Sequence, residues 1–292
     1  MRSLRVLLFT AIMICAAAAY GAESDEIYLY KGGNISQDNI SISGWGSGKA
    51  VESKEKVLNG SNSIKVITQG YYAGGCIDFG QPIPISSFPA EKNRYITFTF
   101  FFPDIQSVDP AAGTGYSFEV EPYTVPKVNK VRFMFEMEDG SKFSLEEPTR
   151  ELDPDDNWVR VPVPLSRFRT AVGSKDLKVK QICIFSDVPA TMYLGEIKLM
   201  TDATPIKADS LGEQVVAVQD NVFLVGSAEG GISNLKYSWD FDNRNGIQQE
   251  QSGKVARFVF THGGDFTVTL TVSDTDGVKA PVSVTGVISV ND

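Results

Sequence analysis

Val131-Arg132-Phe133-Met134-Phe135-Glu136-Met137-Glu138 is the stretch on which the fold turns. Val131, Phe133, Phe135 and Met137 are all apolar, while the alternate positions include Arg132, Glu136 and Glu138. Side chains of an extended strand point alternately to opposite faces, so this period of two marks a strand with one face on a core and the other in water. Working outward, Ile96-Thr97-Phe98-Thr99-Phe100 repeats the pattern, with phenylalanines on one face and threonines opposed. Runs rich in β-branched and aromatic residues at 63–68, 75–79, 95–102, 158–163, 180–185 and 192–199 are mostly bounded by Gly, Pro, Asn or Asp, and they read as further strands. No long amphipathic helix is present; short helical turns are expected near 86–88 or 165–169. The polar segment 201–214, with Pro205 and Gly212, lacks alternation and reads as a linker. Strand signals resume at 215–218, 235–241, 254–260, 266–273 and 282–290. The expectation is an all-β chain of two consecutive sandwiches, over 23–200 and 215–292.

Hydrophobic residues make up 42% and aromatics 11%, enough for packed cores. Arg2 and Arg5 precede an apolar run from Val6 to Ala19, and small residues lead into Glu23-Ser24-Asp25-Glu26. This is the pattern of a secretory signal peptide, expected over 1–22. The run is ~14 residues, short of the ~20 that span a bilayer as a helix. Two competing readings are an uncleaved anchor and a lipid attached at Cys15, the second opposed by Ile14 where a small residue is wanted. Later segments are too short or too polar to cross a membrane as a helix, so no insertion is expected after cleavage. Two arginines leave with the signal, which takes the formal charge from −9 to −11. An acidic chain without a basic stripe is a poor partner for nucleic acid or anionic lipid. The expected location is secreted, periplasmic or at the cell surface. Cys76 and Cys183 remain, and either a disulfide or two buried free thiols fits that even count.

Two strings in the C-terminal part carry a resemblance. Tyr237-Ser238-Trp239-Asp240-Phe241-Asp242 is followed by Gly263-Gly264-Asp265-Phe266-Thr267-Val268-Thr269-Leu270-Thr271-Val272-Ser273-Asp274. Together they resemble the PKD (polycystic-kidney-disease) domain, an immunoglobulin-like sandwich. The resemblance implies a spacer, adhesive or protein-contact module, with Trp239, Phe266, Val268, Leu270 and Val272 facing inward. The usual Gly-Asp-Gly after the first strand is replaced by Asn243-Arg244-Asn245-Gly246. Asp240 and Asp242 could belong to a calcium loop, but Arg244 stands where a further oxygen ligand would be needed. The other reading is that both aspartates bond backbone groups in a tight turn.

The N-terminal part is similar to jelly-roll carbohydrate-binding modules with a galactose-binding-like fold. The matching strings are Val57 to Val66, Tyr72-Ala73-Gly74-Gly75, Ile83 to Phe88, Asn157 to Phe168, and Tyr193-Leu194-Gly195-Glu196-Ile197-Lys198-Leu199. The family's final strand usually carries paired aspartates; Gly195 and Glu196 replace them here, which puts a structural calcium in doubt, and no metal or cofactor is expected.

Sugar recognition needs aromatic rings for stacking and planar polar groups for hydroxyls. On the wetted face the candidates are Tyr71, Tyr72, Tyr116, Arg132, Glu136, Gln181 and Phe185. Arg132 and Glu136 could instead simply pair with each other. Trp158, Phe98, Phe100, Phe133 and Phe135 read as core. The acid pairs Glu136/Glu138 and Glu119/Glu121 are ordinary alternation on a wetted face and lack the spaced triplet of a jelly-roll glycosidase. The single histidine, His262, has no partners for a triad or zinc site. The expected function is non-catalytic binding of polysaccharide or a cell-surface glycan. The alternatives are a structural or adhesive envelope protein that contacts other envelope proteins, and a glycoside hydrolase or lyase.

Overall fold

Strands dominate the computed structural model, which describes residues 26–85, 93–103, 128–149, 158–172 and 178–292. The first domain begins with β1 (Ile27–Tyr30), β2 (Ile40–Trp45), β3 (Lys49–Ser53), β4 (Ser63–Gln69), β5 (Gly74–Pro84) and β6 (Arg94–Phe101). It continues with β7 (Lys130–Met137), β8 (Lys142–Pro148), β9 (Trp158–Pro164), helix α1 (Leu165–Val172), β10 (Lys178–Ser186) and β11 (Pro189–Thr201). Five strands pair in the order β3-β4-β11-β6-β9, with β1 also on β11, and the second sheet runs β2-β5-β10-β7-β8. The two antiparallel sheets make a jelly-roll sandwich around one core.

Parity explains that core. Strand β7 buries Val131, Phe133, Phe135 and Met137 and leaves Arg132 and Glu136 on the other side. Phe98 of the opposite sheet stacks on Phe133 with ring centroids 4.2 Å apart, which ties the layers together. Phe168 of α1 closes one end, edge-on to Phe135 at 4.7 Å and to Phe143 at 5.1 Å. The helical turn expected near 165–169 is therefore present, whereas 86–88 lies outside the described residues.

One expectation is corrected. Strand β6 is buried on both faces, so Thr97 and Thr99 do not meet water. They share the outer side with Tyr95, Phe101, Tyr193 and the ion pair Lys198–Glu196. The 54–62 segment folds over this side. Leu58 packs so closely on Gly195 that a Cβ there would lie 2.6 Å from the Leu58 Cβ. Trp158, read as core, is also on this outer side, half-buried and edge-on to Phe101 at 5.5 Å. Its neighbours Val159, Val161 and Val163 take the core positions instead.

The second domain contains β12 (Lys207–Ala208), β13 (Glu213–Ala217), β14 (Asn221–Val225), β15 (Ala228–Glu229), β16 (Leu235–Asp240), β17 (Gln251–Ser252), β18 (Val255–Val259), β19 (Gly264–Asp274) and β20 (Val282–Asn291). Its main sheet runs β13-β20-β19-β16-β17, and β14 pairs with β18 to face it. Only β13 runs parallel to its neighbour, β20. Trp239 is fully buried, and its indole N–H donates to the Gly253 carbonyl at 2.9 Å, so the burial leaves no orphaned donor. Phe266, Val268, Leu270 and Val272 alternate inward along β19. Strand β14 was not legible in sequence because Val222-Phe223-Leu224-Val225 is apolar at both parities.

The segment read as a linker, 201–214, is structured. Strand β11 runs through Thr201, Ile206 is buried in the second core, and β12 pairs with β15. Its polarity reflects a short edge strand, not a free tether. The domains touch: the Tyr95 hydroxyl lies 2.9 Å from the Ser233 hydroxyl. Arg167 of α1 bonds Glu147 of β8 on one side, and its Nε donates to Asp276 at 2.7 Å on the other.

Candidate functional site

The outer face of the sheet β2-β5-β10-β7-β8 is where the candidate residues converge. Strand registers set them out in rows. Asp78, Gln181, Glu136 and Lys142 lie side by side; Cys76, Cys183, Met134 and Ser144 form the next row; Phe185, Arg132 and Glu146 form the third. Cys76 and Cys183 are directly opposed on β5 and β10 and are joined by a disulfide, with Cα atoms 4.0 Å apart. This decides between the bridge and the free thiols.

Arg132 is held by two bonds, from Nη1 to the Tyr71 carbonyl and from Nη2 to the Ser144 hydroxyl, each 3.2 Å. Glu136 does not pair with Arg132. It bonds Lys142 at 2.7 Å, with Lys180 at 3.7 Å. The hydrogen bond from Lys142 holds its carboxyl below the usual range, against the cost of partial burial. The Gln181 amide donates to Asp78 at 2.6 Å. Partial burial, with nearby Glu146, pushes the Tyr71 hydroxyl up. Tyr72, in the turn before β5, is 82% exposed. Tyr116 lies outside the described residues.

Phe185 is a correction. It points to the outer side, as its parity requires, but it is only 2% exposed. The Arg132 guanidinium stands over its ring at 5.7 Å, and the disulfide and Met134 pack beside it. Gly74 lets the β5 backbone approach: a Cβ there would lie 2.0 Å from the Ile184 carbonyl oxygen and 3.0 Å from the Phe185 ring. Phe185 is a floor, not a free stacking surface.

Trp45 takes that place instead. In Ile40-Ser41-Ile42-Ser43-Gly44-Trp45 the isoleucines face the core, so Trp45 shares the outward parity of the two serines; that signal was available in the sequence. Trp45 is 39% exposed, and the Lys142 ammonium stands over its ring at 5.5 Å. Strands β2 and β8 are opposite edges of the sheet, so this contact means that the sheet curls until side chains from both rims meet over its floor. Lys142→Ala should uncover the indole and free Glu136. Acrylamide quenching of tryptophan fluorescence is expected to increase, with Trp45→Phe abolishing the increase; equal quenching in wild type and variant would count against the contact.

In the second domain Asp240 accepts from the Asp242 N–H at 3.1 Å, and Asp242 accepts from both the backbone and the guanidinium of Arg244. The aspartates therefore bond turn donors, the second of the two readings. Glu196 faces Lys198 and Thr99. Among the described residues no group of three or more His, Cys, Asp and Glu side chains is placed to hold a metal ion.

The fold and this face define a two-domain β-protein: a jelly-roll sandwich with a curled outer sheet, followed by a PKD domain. Residues 202–290 match the family model of the PKD domain. No curated protein matches the chain. Among solved structures, the chain is similar to the CBM22-1 and GH10 modules of Clostridium thermocellum endo-1,4-β-D-xylanase 10B complexed with xylohexaose. Identity there is 10%, with 61% of this chain and 31% of that one covered and a TM-score of 0.31. A carbohydrate-binding module from the β-sandwich superfamily, described for promiscuous specificity, is 16% identical over 55% of this chain and 56% of that one, TM-score 0.31. The fibronectin(III)-like modules of Clostridium thermocellum CbhA are 11% identical over 59% and 83%, TM-score 0.24. The chain thus spans about a third and about half of the length of the first two.

Proposed function

We propose that this protein is a non-catalytic polysaccharide-binding protein of the cell exterior, with the jelly roll holding the glycan and the PKD domain serving as spacer or adhesion module. The observation that carries this reading is the curled face, with Trp45 and Tyr72 open to solvent beside Arg132, Glu136 and Gln181. Two rings can take sugar faces while fixed polar groups meet hydroxyls. On this face Asp78 is engaged by Gln181 and Glu136 by Lys142, whose hydrogen bond keeps the Glu136 carboxyl ionised instead of ready to donate a proton, which favours binding over hydrolysis. Export rests on the N-terminal signal pattern and on the disulfide, which suits an oxidising compartment.

Native affinity gels containing xylan, mixed-linkage β-glucan or mannan test this. At least one polysaccharide should retard residues 23–292, and Trp45→Ala or Tyr72→Ala should weaken binding by roughly tenfold. If no polysaccharide retards the wild-type chain, the reading fails. The rival reading, an envelope protein that makes protein contacts only, is favoured by one feature: Phe223, Val225 and Val255 form an exposed apolar patch on the β14–β18 pair.

A further inference from the structure

A second site lies at the junction of the domains, on residues that the sheet face does not use. An open cleft of about 700 Å³ has Pro148 and Thr149 of the jelly roll on one side and the 228–237 segment of the PKD domain on the other. Its volume lies within the roughly 300–1,000 Å³ of small-molecule sites, and domain junctions are a preferred place for them.

The PKD wall is braced from behind. Asp202 accepts from the Ile232 N–H at 2.8 Å, the Thr204 N–H at 3.0 Å and the Lys279 ammonium at 2.5 Å. Lys279 donates also to the Gly230 carbonyl at 2.6 Å, and Ser233 is tied to Tyr95 of the jelly roll. Three lining side chains take no part in this bracing: Glu229, Tyr237 and Lys254. Among the described residues none of the three has a hydrogen-bond or ion-pair partner. Tyr237 is half-buried, and its ring packs over Gly226, where a Cβ would lie 2.8 Å from it. Partial burial pushes its hydroxyl up, and among the described residues no protein group bonds that oxygen.

We infer that this cleft binds a short neutral oligosaccharide. A carboxylate accepts from two sugar hydroxyls, an ammonium donates to others, and the Tyr237 ring with Leu235 offers an apolar wall for pyranose C–H groups. Glu229 and Lys254 cancel in charge, so the cleft does not select an ion, and the acidic chain disfavours polyanions. A braced wall loses little freedom on binding.

The test is an amide-shift titration of the isotopically labelled mature chain with xylohexaose, cellohexaose and mannohexaose to about 10 mM, tenfold above a millimolar Kd. The expected result is saturable shifts at Glu229, Tyr237 and Lys254 with at least one of them. Glu229→Gln, Lys254→Gln and Tyr237→Phe should each weaken that binding about three- to tenfold. Both charged residues are exposed and Phe keeps the Tyr237 packing, so these variants should fold. Trp45→Ala should leave the cleft shifts unchanged, which separates this site from the sheet face. Three outcomes overturn the inference: no saturable shift at the cleft with any of the three sugars, shifts that Trp45→Ala abolishes, or saturation by tetraglycine alone.

Discussion

Replacing Cys76 and Cys183 together by alanine is expected to destabilise the jelly roll by about 4–5 kcal/mol. The bridge spans a sequence separation of 107 residues, and joining such distant points removes much of the unfolded chain's freedom. The native side loses as well, because the sulfurs pack with Phe185 and Met134 in a small cluster under the groove. For a domain of this size the unfolding midpoint should fall on the order of 10–20 °C. The PKD domain has no cysteine, so an unfolding signal specific to Trp239 should move less. A midpoint within a degree or two of wild type would mean that the bridge constrains nothing that the sheet does not already hold. Because the sulfurs are buried, mild reductant should act slowly on the native protein and quickly in denaturant.

The second large effect concerns Arg167, which spans the two domains between Glu147 and Asp276. Glu147 has no exposed surface, and its second oxygen, Oε2, has no hydrogen-bond partner. Burial pushes its carboxyl up to about 8; the Asp276 charge adds to the rise, and Arg167 pulls the other way. Arg167→Met removes the shared hydrogen-bond donor of Glu147 and Asp276 and should cost about 1–3 kcal/mol. The pH dependence has a definite sign. Between 4.5 and about 8 the folded protein holds a proton on Glu147 that the unfolded chain has lost. Stability from this group is full below 4.5 and falls as pH rises through that window. Glu147→Gln, which keeps the shape without the titration, should flatten this slope, so that its advantage over wild type grows from pH 5 to pH 8.5. Parallel stability–pH curves for the two proteins would rule the argument out. Acids with lowered values, such as Glu26, Glu55 and Glu136, act oppositely and lose their contribution only in acid.

Much of the architecture was legible because parity is local. The alternation at 131–138 and 266–272 needs only the backbone's own geometry, and the core residues it names are those that pack between sheets. Where parity was silent the reading failed: β14 is apolar on both faces, and 201–214 hides a buried Ile206 among polar neighbours.

The sequence by itself determined the two sandwiches and the outward set Arg132, Glu136, Gln181 and Phe185, because alternation along those strands is local, but not the side taken by Trp158. Only the tertiary structure decided which of those outward residues meet water. Exposure depends on what strands distant in sequence bring alongside: Arg132 and the disulfide cover Phe185, whereas the curl of the sheet brings Lys142 to Trp45 and leaves that indole at the rim. The junction cleft belongs to the same category, since its walls come from residues more than fifty positions apart that meet only when both domains are folded and in contact.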